Sequence, residues 1–251
     1  MRIGFIGAGS MASALARGLA EPALVSDPRA DRAEALAAEI GGEVAASNAD
    51  LAKRSDVVIL AHKPAQLEEV ARQVGGAASV VASIVAATPV AELERAYPGV
   101  PIYRFIPNIP VEVGRGVFCY APGTLAAEGP ERALLGLFGR CGVVIRLDEP
   151  LIEPAMALMS CGPAFLALVV EAMADAGARH GLEPRTARRL VAETMGGTAA
   201  YLEANDFDAA DLRRRVATPG GLTERGLGVL EETGLRRSFH SAVDLVVEAS
   251  A

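Results

Sequence analysis

The chain has 251 residues, 51% of them apolar, enough for one large or two modest domains with a substantial core. Its 24 basic and 31 acidic side chains leave a formal net charge of −7, which argues against a polyanionic partner such as a nucleic acid. Cys119, Cys141 and Cys161 stand far apart with no Cys-x-x-Cys pair, and His62, His180 and His240 have no ligand-spaced neighbours. That pattern predicts a reduced, cytoplasmic protein without disulfide framework or metal.

The chain opens on a short apolar run, Ile3, Phe5 and Ile6, that leads directly into Gly7-Ala8-Gly9-Ser10-Met11-Ala12. Gly-x-Gly-x-x-Ala between a strand and a helix marks a dinucleotide-binding turn. The first glycine permits the tight turn and the second removes a Cβ from the path of a pyrophosphate. The alanine lets the helix lie close on the sheet. Met11, Leu15 and Leu19 then mark one helix face at i, i+4, i+8. Ala23–Ser26 reads as a second strand and Ala30–Ile40 as an Ala- and Glu-rich helix. Val57–Leu60 is a continuous apolar run, the mark of a parallel strand covered on both faces. Segments 79–85, 102–106, 117–120 and 143–147 supply further strands, and 66–74, 90–97 and 131–140 supply crossover helices. The alternation predicts a doubly wound α/β (Rossmann) domain over residues 1–148, its N-terminus being the first strand rather than a secretory leader.

Beyond Leu147 the texture changes to helical periodicity broken by Pro154, Gly162-Pro163, Gly181, Pro184 and Pro219-Gly220-Gly221. Residues 149–251 are therefore read as an all-α domain. The uncharged stretch 155–170 is too short and too interrupted for a membrane span, so a buried helix pair and no membrane partner are expected. This half is apolar enough to leave surface uncovered alone, which predicts a homodimer through the helices.

Several positions carry chemistry. At the end of the second strand Ser26 and Asp27 are followed by Arg29 and Arg32. An acid there favours a free ribose 2′-hydroxyl and basic groups favour a 2′-phosphate, so the cofactor is NADP(H) or NAD(H), with a lean to NADP(H); alternatively Asp27 caps the next helix. Ala61-His62-Lys63-Pro64 follows the third long strand and should face the cofactor. Asn108, held between Pro107 and Pro110, is either a binding amide or a structural turn residue. Thr218-Pro219-Gly220-Gly221-Leu222-Thr223 ends one helix and starts another, offering backbone N–H groups and hydroxyls to a small carboxylate. Arg213–Arg215 and Arg188-Arg189 read as solvated helix faces, and Cys161 as a small core residue.

Together these pieces resemble the pyrroline-5-carboxylate reductase family along nearly the whole chain. The resemblance rests on the N-terminal glycine turn, Ala-x-Lys63-Pro64, Pro107-Asn108-x-Pro110, Gly162-Pro163-Ala164 and Pro219-Gly220-Gly221-x-Thr223. Further matches are Glu171-Ala-x-Ala-Asp175-Ala-Gly177 and Leu227-x-Val229-Leu230-Glu231. It implies hydride transfer from NAD(P)H to the cyclic C=N bond of 1-pyrroline-5-carboxylate, giving L-proline. It also implies that Ile6, Gly7, Ala8, Gly9, Ser10 and Met11 hold the nucleotide, with Ser26 and Asn48 at the adenosine end. Ala61, His62, Lys63, Pro64, Ser83 and Val85 would lie toward the nicotinamide. Asn108, Glu149, Gly220, Gly221 and Thr223 would meet the imino acid, the Thr223 hydroxyl serving the ring nitrogen as the catalytic contact. Dimers that assemble into decamers are implied as well. The chain departs from the family at Ile109, Cys161, Phe165 and Leu222, where hydroxyl-bearing residues are usual. A same-fold reductase of another small imino or hydroxy acid, or a dinucleotide-binding regulatory protein without turnover, are the alternatives.

Overall fold

The structure is a computed structural model that describes residues 1–250. It divides into two compact units, Met1–Pro163 and Ala164–Ala249.

The first unit is a sheet of eight strands: β1 (Ile3–Ile6), β2 (Ala23–Ser26), β3 (Glu43–Val44), β4 (Val57–Leu60), β5 (Val81–Ser83), β6 (Ile102–Pro107), β7 (Gly116–Pro122) and β8 (Gly142–Arg146). Their order is β3-β2-β1-β4-β5-β6-β7-β8. All pairs are parallel except β6–β7, which is antiparallel. Sequence order reverses at β1, which pairs with β2 on one side and β4 on the other. An open α/β sheet leaves its ligand crevice beyond the strand ends at such a switch point.

Helices α1 (Ser10–Leu19), α2 (Ala30–Ile40), α3 (Asn48–Arg54), α4 (Leu67–Val74), α5 (Val90–Ala96) and α6 (Glu131–Gly139) cover the sheet. β1 and β4 are buried at every residue, as the unbroken apolar runs predict. Beneath α1 and α6, Phe5, Leu15, Leu19, Phe105, Phe118 and Phe138 form one core. On the opposite face Ile6, Leu51, Val58, Leu60 and Val70 form another. The expected strands and helices of this half are present, with ends shifted by up to two residues. β3 and α3 fall where no periodic signal is present.

The first unit also takes in α7 (Ile152–Met159), beyond the change of texture at Asp148. Its physical reason is packing: Ile152 is fully buried with Ile106, Cys119 and Ala121, and Met156 and Met159 lie against them. Asn108 joins in by donating from Nδ2 to the Met159 carbonyl, 3.0 Å, and accepting from Val117 N–H at Oδ1, 2.9 Å. Below α7, the Arg104 guanidinium on β6 is 1% exposed and pairs with Glu149 at 3.0 Å and Glu153 at 2.9 Å. Glu149 Oε1 also accepts from Val90 N–H at the start of α5, 2.6 Å.

The second unit is helical: the body of α8 (Gly162–Arg179), then α9 (Pro184–Glu203), α10 (Ala209–Val216), α11 (Leu222–Glu232) and α12 (Leu235–Ser250). Glu183 caps α9 by accepting from Arg185 and Thr186 N–H, with Pro184 at the first helical position. These amides hold its carboxyl below the usual carboxylate range. Asp208 caps α10 in the same way, through Asp211 N–H. Gly177 brings α8 close to the turn before α9, where a Cβ would lie 3.1 Å from Leu182. Apart from Ala174 and Ala187, no apolar residue of this unit is buried among the described residues. The helix pair expected over 155–170 is present as α7 and the first part of α8, and Leu166 and Leu168 on α8 are exposed in the single chain. Residues 149–179 are long and apolar enough to cross a membrane by length and composition.

Candidate functional site: a groove at the switch point and an open helix start

Beyond the carboxyl ends of β1, β2 and β4 lies a groove of about 850 Å³. It brings together eight of the expected cofactor residues: Ile6, Gly7, Gly9, Ser26, Asn48, Ala61, His62 and Lys63. Gly7 does more than turn the chain. Its φ is +109°, and a Cβ would sit 2.6 Å from the Ala61 carbonyl oxygen and 2.9 Å from His62 N, so the β4 loop reaches the phosphate turn only because residue 7 has no side chain. The missing Cβ of Gly9 points into open space. Gly9 opens α1 without a side-chain cap, and the first α1 amide with an acceptor inside the chain is Ser13, bonded to the Gly9 carbonyl. The N–H groups of Ser10, Met11 and Ala12 are therefore free to bind an anion.

Ser10, Met11 and Ala8 belong to the turn but not to the groove lining, and neither do Pro64, Ser83 and Val85. Ser83 and Val85 are buried at the end of β5, where Ser83 Oγ accepts from Val85 N–H. Pro64 starts the short turn before α4.

Asp27 is not the cap of α2, one of the two roles read from the sequence. Its Oδ2 accepts from Ala8 N–H and its Oδ1 from Arg29 N–H, each at 2.8 Å, and the residue capping α2 is Arg29. Both carboxylate oxygens are engaged by main chain, stapling the β2 turn to the glycine turn. Ser26, Arg29 and Arg32 line the groove beside it. The Arg29 guanidinium pairs with Asp31, 2.6 Å.

The residues that sequence reasoning missed come from α3 and α4: Ser47, Gln66, Glu69, Val70 and Gln73. Two of them, Glu69 and Gln73, fix Asn48. The Glu69 carboxylate can only accept, so Gln73 turns its Nε2 to it, 2.6 Å, and offers Oε1 to Asn48 Nδ2, 2.6 Å. Asn48 Oδ1 is left buried without a partner. His62 Nε2 is a second such atom. A groove with free amides at a helix N-terminus, an open glycine and two unpaired acceptors fits a molecule that carries both phosphates and hydroxyl or amino donors, as a dinucleotide does. Ser47-x-x-Asp50 was the available signal for α3: Ser47 Oγ accepts from Asp50 N–H and caps it.

The remaining expected residues fall in two places. Asn108 and Glu149 lie in the first unit, where both ends of the Asn108 amide are used as a brace and Glu149 holds Arg104. Gly220, Gly221 and Thr223 lie at the start of α11 in the second unit. The diglycine does not itself offer free amides, contrary to the sequence reading. Gly220 N–H is accepted by Glu224 Oε2, 2.7 Å, and Gly221 N–H by the Thr218 carbonyl, 2.9 Å. Gly220 takes the left-handed φ of +75° that this turn needs. The open amides are those of Leu222, Thr223 and Glu224, since the first bond of the helix is from Arg225 to Gly221. The Thr223 side chain is exposed.

Comparison with known proteins matches residues 149–251 to the family model for pyrroline-5-carboxylate reductase dimerisation. Residues 2–87 match a model described as NADP oxidoreductase, coenzyme F420-dependent. The chain is 33% identical to a pyrroline-5-carboxylate reductase of Methanosarcina acetivorans, over 99% of this chain and 96% of that one. It is 34% identical to one of Pseudomonas aeruginosa, over 100% of this chain and 96% of that one. Among solved structures, the Plasmodium falciparum pyrroline carboxylate reductase with NADP bound superposes with a TM-score of 0.88 at 27% identity, covering 100% of this chain and 97% of that one. The exposed apolar helices therefore belong to a dimerisation domain, and the groove to an NAD(P)-dependent oxidoreductase. This chain belongs to the pyrroline-5-carboxylate reductase family.

Proposed function

We propose that this chain reduces 1-pyrroline-5-carboxylate to L-proline in proline biosynthesis, drawing on NADPH in preference to NADH, as a cytoplasmic enzyme. The observation that carries the reading is the groove at the switch point, equipped for a dinucleotide, in a chain whose relatives share its full length. The cofactor supplies a hydride when bound.

The chain's own residues then have four tasks. The α1 amides and Gly9 receive the pyrophosphate. Ser26, Arg29 and Arg32 receive a 2′-phosphate, since a hydroxyl and two guanidinium groups line the groove at the end of β2. Ala61, Lys63, Pro64, Ser83 and Val85 shape the nicotinamide side. At the start of α11, the amides of Leu222, Thr223 and Glu224 bind the substrate carboxylate, and the Thr223 hydroxyl holds the ring nitrogen as it becomes an amine. Glu149, one oxygen clamped by Arg104 and Val90 N–H, contributes its other oxygen to the substrate. A cyclic imine takes its proton from water, so orientation and anion binding are the protein's main work, and no strong acid is needed. Dimers are expected to assemble further into decamers.

The experiment is NADPH oxidation followed with 1-pyrroline-5-carboxylate and then with its four- and six-membered ring analogues. Turnover confined to the five-membered ring supports the assignment. Turnover only on another ring moves it to a same-fold reductase, and dinucleotide binding without turnover on any imine moves it to a regulatory protein.

A further inference from the structure

His62 stands in the loop after β4, between Ala61 and Lys63-Pro64. Its ring is held in one tautomer. Nδ1 lies 2.9 Å from the Lys63 carbonyl oxygen, which can only accept, so Nδ1 carries the hydrogen and Nε2 keeps a bare lone pair. Nε2 is buried without a partner, on a side chain that lines the groove. A buried acceptor left unpaired is unfavourable until a ligand brings it a donor.

The ligand's phosphates cannot fill this role, because their ionised oxygens also only accept. The position narrows the choice among the donors. His62 N would lie 2.9 Å from a Cβ on Gly7, so the ring's backbone abuts the turn that receives the pyrophosphate. The donors next to a pyrophosphate in a dinucleotide are ribose hydroxyls. We propose that neutral His62 accepts a hydrogen bond at Nε2 from a ribose hydroxyl of the bound dinucleotide, so that cofactor affinity falls once the ring is protonated. This rests on the groove being the cofactor site.

The surroundings are consistent with a ring that stays neutral. Burial lowers the imidazole pKa from its ordinary value, and the Lys63 carbonyl only partly opposes this. The charged groups lining the same groove are Asp27, Arg29 and Arg32 beyond β2, Lys63 in the loop itself and Glu69 on α4. Arg29 is paired with Asp31 and Glu69 with Arg72, while Asp27 accepts from two main-chain amides and keeps its negative charge. Arg32 and Lys63 add positive charge, which also opposes protonation. The turn at Gly7 and the start of α3 at Ser47 and Asn48 contribute no charge.

The test is calorimetric binding of NADH and NADPH to the full-length protein between pH 5.0 and 8.0, for wild type, His62→Leu and His62→Gln. NADH is the deciding ligand, since it lacks the 2′-phosphate whose own ionisation near pH ~6 would mimic a histidine. Wild type is expected to bind NADH at least about threefold more weakly at pH 5.0 than at pH 8.0. His62→Leu is expected to bind about three- to tenfold more weakly at pH 8.0, with no slope toward acid. His62→Gln, which keeps an acceptor that does not titrate, should match wild type at pH 8.0 and stay flat. Equal affinity of His62→Leu and wild type at pH 8.0, or a wild-type affinity for NADH that does not change with pH, overturns the proposal. Should His62→Leu fail to fold, parallel slopes for wild type and His62→Gln overturn it alone. Absence of dinucleotide binding by wild type is a separate outcome, which overturns the groove assignment instead.

Discussion

The two units solve the burial problem differently. In the first, the strands β1 and β4 and the helices on either face enclose two apolar clusters, and even an arginine is taken out of water with two carboxylates to match it. In the second, Leu168 is 64% exposed, Leu245 67% and Leu222 84%, while its buried apolar residues are two alanines. A sheet covered on both sides closes its own core, whereas long apolar helices joined by short turns leave stripes open that only another chain can cover. The first unit can therefore carry a binding groove by itself, and the second reaches its final burial only on dimerisation.

The sharpest way to break that contrast is on α8. Leu166→Glu combined with Leu168→Glu places two charges on an exposed apolar helix, and two-fold symmetry repeats them in the partner. Each buried leucine contributes about 1.5–3 kcal/mol, so the dimer dissociation constant should rise by on the order of 10³-fold or more. Light scattering after gel filtration reads this directly. NADPH binding measured on the same sample should persist, because the groove is built from the first unit alone. Loss of both together would mean that the sheet half is not self-sufficient.

Two substitutions test the first unit. Gly7→Ala combines a positive φ with a Cβ 2.6 Å from a carbonyl oxygen, and should cost about 3 kcal/mol or more while abolishing dinucleotide binding. Arg104→Met leaves Glu149 and, on α7, Glu153 without their cation, and should lower unfolding free energy by about 3 kcal/mol in urea titration. A further fall in apparent substrate affinity is expected if Glu149 meets the imino acid. In the second unit, Thr223→Ala should reduce kcat by roughly 10²-fold with NADPH affinity unchanged. Unchanged turnover would remove Thr223 from the reaction.

Legibility in the sequence followed the same division of local and distant causes. β1, α1, β2 and β4 were readable almost to the residue, because the glycine turn and the unbroken apolar runs are local signals. β3 was not, since Glu43–Val44 is a two-residue edge strand with both residues exposed and no period to detect. α3 announced itself only through Ser47 and Asp50. The groove's far wall, Glu69 and Gln73, comes from the exposed side of α4, and nothing in a helix sequence says which polar residues a neighbouring loop will meet. Asp27 shows the reverse failure. Its position before α2 suggested a helix cap, but the carboxylate accepts from Ala8 and Arg29 N–H and Arg29 is the cap. The diglycine was recognisable as a helix start, yet which amides stay free depended on Glu224 turning back to Gly220.

The smallest expected effect concerns acid stability, to which each unit contributes one group. Burial depresses the His62 pKa in the folded chain below that of the unfolded chain, so the unfolded chain binds the proton more readily. Stability from this group is complete above the unfolded value near ~6.5 and is lost as pH falls from there through the lower folded value. Glu183 adds to the same trend at more acid pH, since its folded carboxyl titrates below the unfolded one. Thermal melts of wild type and His62→Gln between pH 8 and 5 separate the two contributions. The histidine part should vanish in the variant above pH 5, while a shared decline toward lower pH remains. Identical melting profiles across the whole range would show that His62 is hydrated in solution, and that the first unit's enclosure is less complete at the groove than at its core.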